Sequence, residues 1–201
     1  AISGRVARAP RPPRPPSPGR SPDGKWEAYA KEGNLHLRRL ADGRESRLST
    51  DGAPGDGYDG HSLWWSPDSR TLAALRVKRA APRVVTLVES SPRDQLQPKV
   101  HQIPYPKPGD PIDEPRVRLF DVANARPVPA DDSLCPTPWE LGEFAWSADG
   151  REFSFLYNQR GHQVERLVGL DARTGKARAI VTETSKTFID YSQKTYLKRL
   201  P

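Results

Sequence analysis

The chain has 201 residues, 22 of them proline, and only 35% are hydrophobic, below the ~45–50% of an ordinary globular domain. Its net charge is +7, but residues 1–25 hold Arg5, Arg8, Arg11, Arg14, Arg20 and Lys25 against Asp23 alone, leaving only +2 for the other 176 residues. A nucleic-acid-binding domain shows its basic stripe on a folded face; this charge sits in a Pro/Arg-rich tail, so no nucleic-acid partner is expected.

Residues 1–20, with "ARAPRPPRPPSPGR", read as an extended, disordered tail. With no Met in the chain, Ala1 is expected to be a processed end or a boundary within a longer protein. Residues 21–201 read as one domain built of repeated units. Its first unit opens at Ser21 with "SPDGKWEAYA", a turn followed by period-two alternation. Trp26, Ala28 and Ala30 take one face, and Lys25, Glu27 and Tyr29 the other. "NLHLRRL" then sets Leu35 and Leu37 together, "ADGRE" turns the chain, and "SRLS" closes the unit.

The stretch "STDGAPGDGYDGHS" reads as a solvated loop between units, with Asp51, Asp56 and Asp59 clustered in it. A second unit starts near Ser66 in "LWWSPDSRTLAALRV", where Pro67 and Asp68 form the turn behind Trp64 and Trp65. Between "TLAALRV" and "RVRLFDV" runs a long arm, residues 78–115. It contains "VVTLVESS", "SSPRDQLQPK" (enough for one helical turn) and the proline-rich "QIPYPKPGDPIDEP". Either a blade has two strands drawn apart by an excursion, or this is an inserted arm; loops of such length are usually functional.

The third unit, near Ser147, repeats the layout. Trp146 precedes "SADG" with Asp149 in the turn, followed by "EFSFLYN", "ERLVGLD", the turn "ARTGKA" and "RAIVTE". "TFIDYSQKTYLKRL" reads as the start of a fourth. The three turns begin 45 and 81 residues apart, close to one and two periods of ~40–45, the spacing of four-stranded propeller blades. The fold class is therefore all-β, antiparallel, about three blades of an incomplete propeller. Three blades do not close a ring of ~4–8, and unclosed edges invite a covering partner or a second copy.

No complete active site is present by residue content. "GHSLW" (Gly60 to Trp64) approaches the G-x-S-x-G elbow of serine hydrolases but has Trp64 in place of the second glycine, and His61 beside Ser62 diverges from it in a strand. "GLDARTGKA" has the wrong spacing for a phosphate loop and no Ser or Thr after its lysine. His36, His61, His101 and His162 are scattered and Cys135 has no thiol partner, so neither a metal nor a cofactor is expected. No apolar run reaches the ~18 residues of a membrane helix. Trp64, Trp65 and Trp146 read as packing between blades.

The ordered set "LWWSPDSRTLAALR", "IPYPKPGDP" and "VRLFDV", with "ETSKTFID" further on, resembles the N-terminal propeller of dipeptidyl-peptidase-IV-like serine peptidases of the prolyl oligopeptidase family. The likeness runs over roughly residues 20–197. It implies a non-catalytic propeller that positions and selects peptides for a C-terminal α/β-hydrolase domain absent from this chain. Its partners would be the remaining blades, that hydrolase domain, a peptide substrate, and a second copy through the sheet edges or the arm. The resemblance favours the periplasm or cell exterior. In the family a glutamate pair shortly before the double tryptophan holds the peptide's free amino end. This chain has no Glu between Ala53 and Leu63; Asp56 and Asp59 are the candidates for a shorter version. The rival reading is a stand-alone β-repeat module that binds a protein and does no chemistry.

Overall fold

The computed structural model describes residues 19–190 and 195–199. The expected tail lies outside them except for Gly19 and Arg20. These two are fastened to the first sheet by an Arg20–Glu27 bridge and by the Ala28 N–H, which donates to the Gly19 carbonyl at 2.6 Å.

Among the described residues the regular structure is all β-strand. Sheet one is a meander of β1 (Trp26–Lys31), β2 (Asn34–Arg39) and β3 (Glu45–Arg47). Sheet two begins with β4 (Asp56–Trp65) and β5 (Thr71–Lys78). The chain then leaves it for a separate two-stranded hairpin, β6 (Val84–Glu89) and β7 (Lys99–Pro104). It returns as β8 (Glu114–Asp121) and β9 (Arg126–Val128), giving the order β4-β5-β8-β9. Sheet three is β10 (Pro138–Trp146), β11 (Glu152–Gln159), β12 (Val164–Asp171) and β13 (Ala177–Thr184) in sequence order. All neighbours are antiparallel. These are blades of an incomplete β-propeller.

The long arm is an insertion: β5 pairs directly with β8 across its root, from Thr71 opposite Asp121 to Lys78 opposite Glu114. "SSPRDQLQPK" forms no helical turn; it is the tip of the hairpin, with only turns and bends before β7. The aspartate-rich stretch is a loop only in its first half, residues 49–55, which hold Asp51. From Asp56 onward it is β4, paired with β5 on both sides of a bulge between Tyr58 and Leu63. In sheets two and three the repeated phrase consequently lies inside the sheet, joining β4 to β5 and β10 to β11, whereas in sheet one it precedes β1. After β13, residues 185–190 and 195–199 are in no strand, and 191–194 of "TFIDYSQKTYLKRL" lie outside the described residues.

Strand alternation divides the core. Leu72, Ala74 and Phe120 face sheet one and bury against Ala28, Leu35, Leu37 and Leu48. Ala73, Val117 and Leu119 point the other way, onto Phe153, Phe155, Tyr157, Val168 and Leu170 of sheet three. Sheet two is thus the filling of a three-layer stack. Each fully buried Leu or Phe contributes about 1.5–3 kcal/mol. The hairpin has no such support: Val84, Leu87, Val88, Val100 and Ile103 are exposed.

Candidate functional site

The three turns are built alike. The Ser21, Ser66 and Ser147 hydroxyls donate to Asp23, Asp68 and Asp149 at 2.7, 2.6 and 2.7 Å. They also accept the N–H of Trp26, Thr71 and Glu152 at 3.0, 2.9 and 3.0 Å. The serine hydroxyl bond is the main reason that Asp23 and Asp149 are held below the usual carboxylate range. Pro67 presets the turn's backbone. The final turn position is left-handed in all three, with Gly24 at φ 70°, Ser69 at φ 60° and Gly150 at φ 69°. Ser69 is held there by accepting the Asp23 N–H at 3.1 Å.

The adjacent tryptophans diverge to opposite faces of β4. Trp64 turns to sheet three, its ring 4.3 Å from Phe144 and 5.8 Å from Phe153. Trp65 turns to sheet one and donates its indole N–H to the Gly19 carbonyl at 3.2 Å. Trp146 lies 5.0 Å from Phe153 and donates to the Trp64 carbonyl at 3.0 Å. All three side chains join sheets.

The opposite end of the sheets carries the candidate site. An open cleft of about 580 Å³ is lined by Glu32, Pro54, Tyr58, Asp59 and Arg79, among others. Glu32 projects from the β1–β2 turn at φ 53°. Gly57 brings β4 onto that turn, since a Cβ there would lie 2.9 Å from the Gly33 Cα. Asp59 opens the β4 bulge, which curls back so that Oδ1 accepts the His61 N–H at 3.0 Å and Oδ2 the Ser62 hydroxyl at 2.7 Å. Burial opposes ionisation of Asp59. The His61 N–H and Ser62 hydroxyl, with the charges of His61 and Arg79, outweigh it and hold the group below the usual carboxylate range. Arg79 is paired to Asp113 at 2.6 Å.

Asp56 has a different partner. It takes a two-point ion pair from Arg76, at 2.8 and 3.0 Å. The third Arg76 nitrogen, Nη1, meets Asp51 at 2.5 Å, and Asp51 accepts the Tyr58 hydroxyl at 3.1 Å. Burial first, then Asp51, pushes the Tyr58 phenol up. Asp56 is therefore absorbed in a structural network, while Asp59, bonded only within its own bulge, and Glu32 line the open cleft. Glu32 escaped the sequence reading because nothing local ties a turn residue to a bulge 27 positions later; the signal was a Glu before the turn glycine in "KEGN".

Two carboxylates flanking an open cleft suit a cation, and among the described residues no hydroxyl or thiol beside them is paired with a histidine base. Ser62 donates to Asp59 rather than to a histidine, and Cys135 is a buried free thiol pushed up to about 12 by burial. Among the described residues no group of three His, Cys, Asp or Glu is arranged to hold a metal, and no helix is long and apolar enough to cross a membrane. A larger groove of about 1020 Å³ at the turn end is lined by Asp68, Arg70, Asp149 and Arg151, with both signs of charge balanced.

The model of the dipeptidyl peptidase IV (DPP IV) N-terminal region matches residues 5–199. The chain belongs to this family. It is 27% identical over 172 residues to a "Probable dipeptidyl-aminopeptidase B" of Verticillium alfalfae, covering 74% of this chain and 20% of that protein. With a "Probable dipeptidyl-aminopeptidase B" of Pyrenophora teres f. teres it shares 24% over 203 residues, covering 87% and 22%. The crystal structure of Porphyromonas gingivalis dipeptidyl peptidase 4 superposes with a TM-score of 0.62 at 18% identity, over 85% of this chain and 26% of that one. This DPP IV N-terminal region thus spans about a fifth of the length of the curated relatives it matches.

Proposed function

We propose that this chain is the non-catalytic propeller part of a dipeptidyl-peptidase-IV-like serine exopeptidase. In this reading it positions and selects peptides for a C-terminal α/β-hydrolase domain outside these 201 residues, in a periplasmic or secreted enzyme. The observation that carries it is the cleft in which Asp59, held ionised by its bulge, lies with Glu32. The pair would hold a peptide's free ammonium group, because charge-assisted hydrogen bonds to carboxylates are short and strong. Asp59 and Glu32 come from different sheets, so the clamp would exist only when sheets one and two are packed. The exposed hairpin between β5 and β8 would meet a second copy.

The test uses the full natural enzyme and chromogenic Xaa-Pro substrates with free and with acetylated amino ends. Asp59→Asn and Glu32→Gln are expected to raise KM for the free-amine substrate at least tenfold, with a smaller change in kcat, and to narrow its advantage over the acetylated one. Unchanged KM in both variants removes the clamp. A natural mass of about 75–85 kDa leaves room for the missing blades and a hydrolase domain of ordinary size. A natural product no longer than this chain would instead favour the stand-alone binding module.

A further inference from the structure

The long arm leaves and rejoins sheet two beside the cleft. The β5–β8 ladder ends where Lys78 stands opposite Glu114, so Arg79 and Asp113 are the first residues of the arm's two roots. They close on each other. Arg79 Nη1 meets one Asp113 oxygen at 2.6 Å, and the other oxygen accepts the Ala80 N–H at 2.9 Å. Burial opposes ionisation of Asp113; the Ala80 N–H and the Arg79 bond outweigh it and hold the group below the usual carboxylate range.

The two members of this clasp are not equally fixed. Asp113 sits on braced backbone, with Glu114 in the ladder and the Asp110 carbonyl taken by the Arg160 guanidinium at 2.5 Å. Its carboxylate is tied at two points. The Arg79 backbone is pinned at the cleft rim, its N–H donating to the Gly55 carbonyl at 2.6 Å. Its side chain, however, is 60% exposed and bonds through Nη1 alone. Arg76, three positions earlier, gives all three of its nitrogens to Asp51 and Asp56. Nε and Nη2 of Arg79 have no partner among the described residues.

Among the described residues Arg79 is the one cation lining the cleft, where Glu32 and Asp59 are the carboxylates. Neither carboxylate has a cation of its own: Asp59 is bonded only to His61 N–H and the Ser62 hydroxyl, and the Glu32 side chain has no partner. The charge of Arg79 already reaches Asp59 and helps to keep it ionised. A guanidinium freed at this rim would therefore meet the two groups that are proposed to take a peptide's ammonium. Being tethered, it would act at an effective concentration of about millimolar, enough to compete with a substrate whose KM is of ordinary size.

We infer that Asp113 is a positioning residue for the clamp: it holds the Arg79 guanidinium off Glu32 and Asp59 and so keeps the cleft open to a peptide's free amino end. This rests on the clamp reading and adds to it a residue that acts through another. It also joins the arm to the site, because whatever shifts the arm's roots shifts the restraint on Arg79.

The test is a rescue in the full natural protein, read with the free-amine and acetylated Xaa-Pro substrates. Asp113→Ser keeps a hydroxyl that can accept the Ala80 N–H but removes the charge that holds Arg79. It is expected to raise KM for the free-amine substrate by about threefold, the weight of a modest exposed ion pair, with kcat and the acetylated substrate little changed. Combining it with Arg79→Gln is expected to return KM to the value of Arg79→Gln alone. A role confined to bracing the arm would leave the double variant as impaired as Asp113→Ser, and that result overturns the inference. So does an unchanged KM in Asp113→Ser. Should that variant fail to fold, Asp113→Asn, alone and with Arg79→Gln, carries the same decision. Asp59→Asn and Glu32→Gln separate the failures. If they raise KM and Asp113→Ser does not, only the positioning role falls; if they leave KM unchanged, the clamp and the positioning role fall together.

Discussion

The indole N–H of Trp146 donates to the backbone carbonyl of Trp64, 3.0 Å away and one sheet back. Trp65 repeats the relationship with Gly19 at 3.2 Å. In both cases the donor immediately precedes the serine of its own turn, and the acceptor stands two residues before the serine of the preceding turn. Trp146→Phe keeps the ring against Phe153 and loses only this bond, at a cost of about 1 kcal/mol. Trp146→Ala also opens a cavity and is expected to cost about 3–5 kcal/mol. Urea unfolding midpoints measure both, and equal losses would mean that the bond, not the ring, holds the sheets.

The turn ending at Gly150 needs its left-handed backbone, and a Cβ there would also sit 3.3 Å from the Asp68 carboxylate of the neighbouring sheet. Gly150→Ala is expected to destabilise by about 1–2 kcal/mol. Gly142, with ordinary φ and nothing within 4 Å of its would-be Cβ, serves as the control, where Ala is near neutral. Thermal melts of the pair check the contrast.

Alkaline pH should weaken the fold through Cys135 and Tyr157, whose groups are each pushed up to about 12, mainly by burial. Their folded pKa values lie above the unfolded ones, so the unfolded chain releases its protons first. Stability is full below about pH 8.5 and falls as pH rises toward 12, by about 1.4 kcal/mol per unit for each group titrating only in the unfolded state. Cys135→Ala should delay the onset to near pH 10, where the unfolded tyrosine titrates. The same onset in both proteins would contradict the assignment.

Asp56 and Asp59 should separate cleanly on substitution. Asp56→Asn disturbs the Arg76 network and is expected to lower stability by about 1–2 kcal/mol, the cost of leaving a charged group short of a partner, and on the proposed reading to leave KM of the full protein unchanged. Asp59→Asn should do the reverse. Chemical denaturation and steady-state kinetics on the same preparations decide this.

Removing residues 84–104, the hairpin, and joining its ends should leave the three sheets intact, since β5 and β8 pair without it. If the hairpin meets a second copy as proposed, the expected change is in assembly, with the full protein passing from dimer to monomer in sedimentation velocity. Loss of folding instead would mean that the arm supports its own sheet.

The strands with strict alternation were legible in the sequence. Ala28, Leu35 and Leu37 announced sheet one, and the "EFSFLYN" and "ERLVGLD" runs announced β11 and β12. The serine-aspartate turns were equally plain, because their bonds are local. β4 was not: its glycines and aspartates look like loop, yet Gly57 is there to let β4 approach Gly33, a requirement set by another sheet. The same limit hid Glu32. Half of the candidate site, Asp59, stood in a suspicious cluster, but choosing it over Asp56 required seeing Arg76 arrive from β5.

The tryptophan interlock also governs how the molecule comes apart. Each unit is latched only to its predecessor, so cohesion is a sum of nearest-neighbour couplings along one line. Sheet two has a latch on either side; sheets one and three have one each within this stretch. Local opening should therefore start at the termini and travel inward. Within these residues, amide protons of β5 and β8 should be the last to exchange.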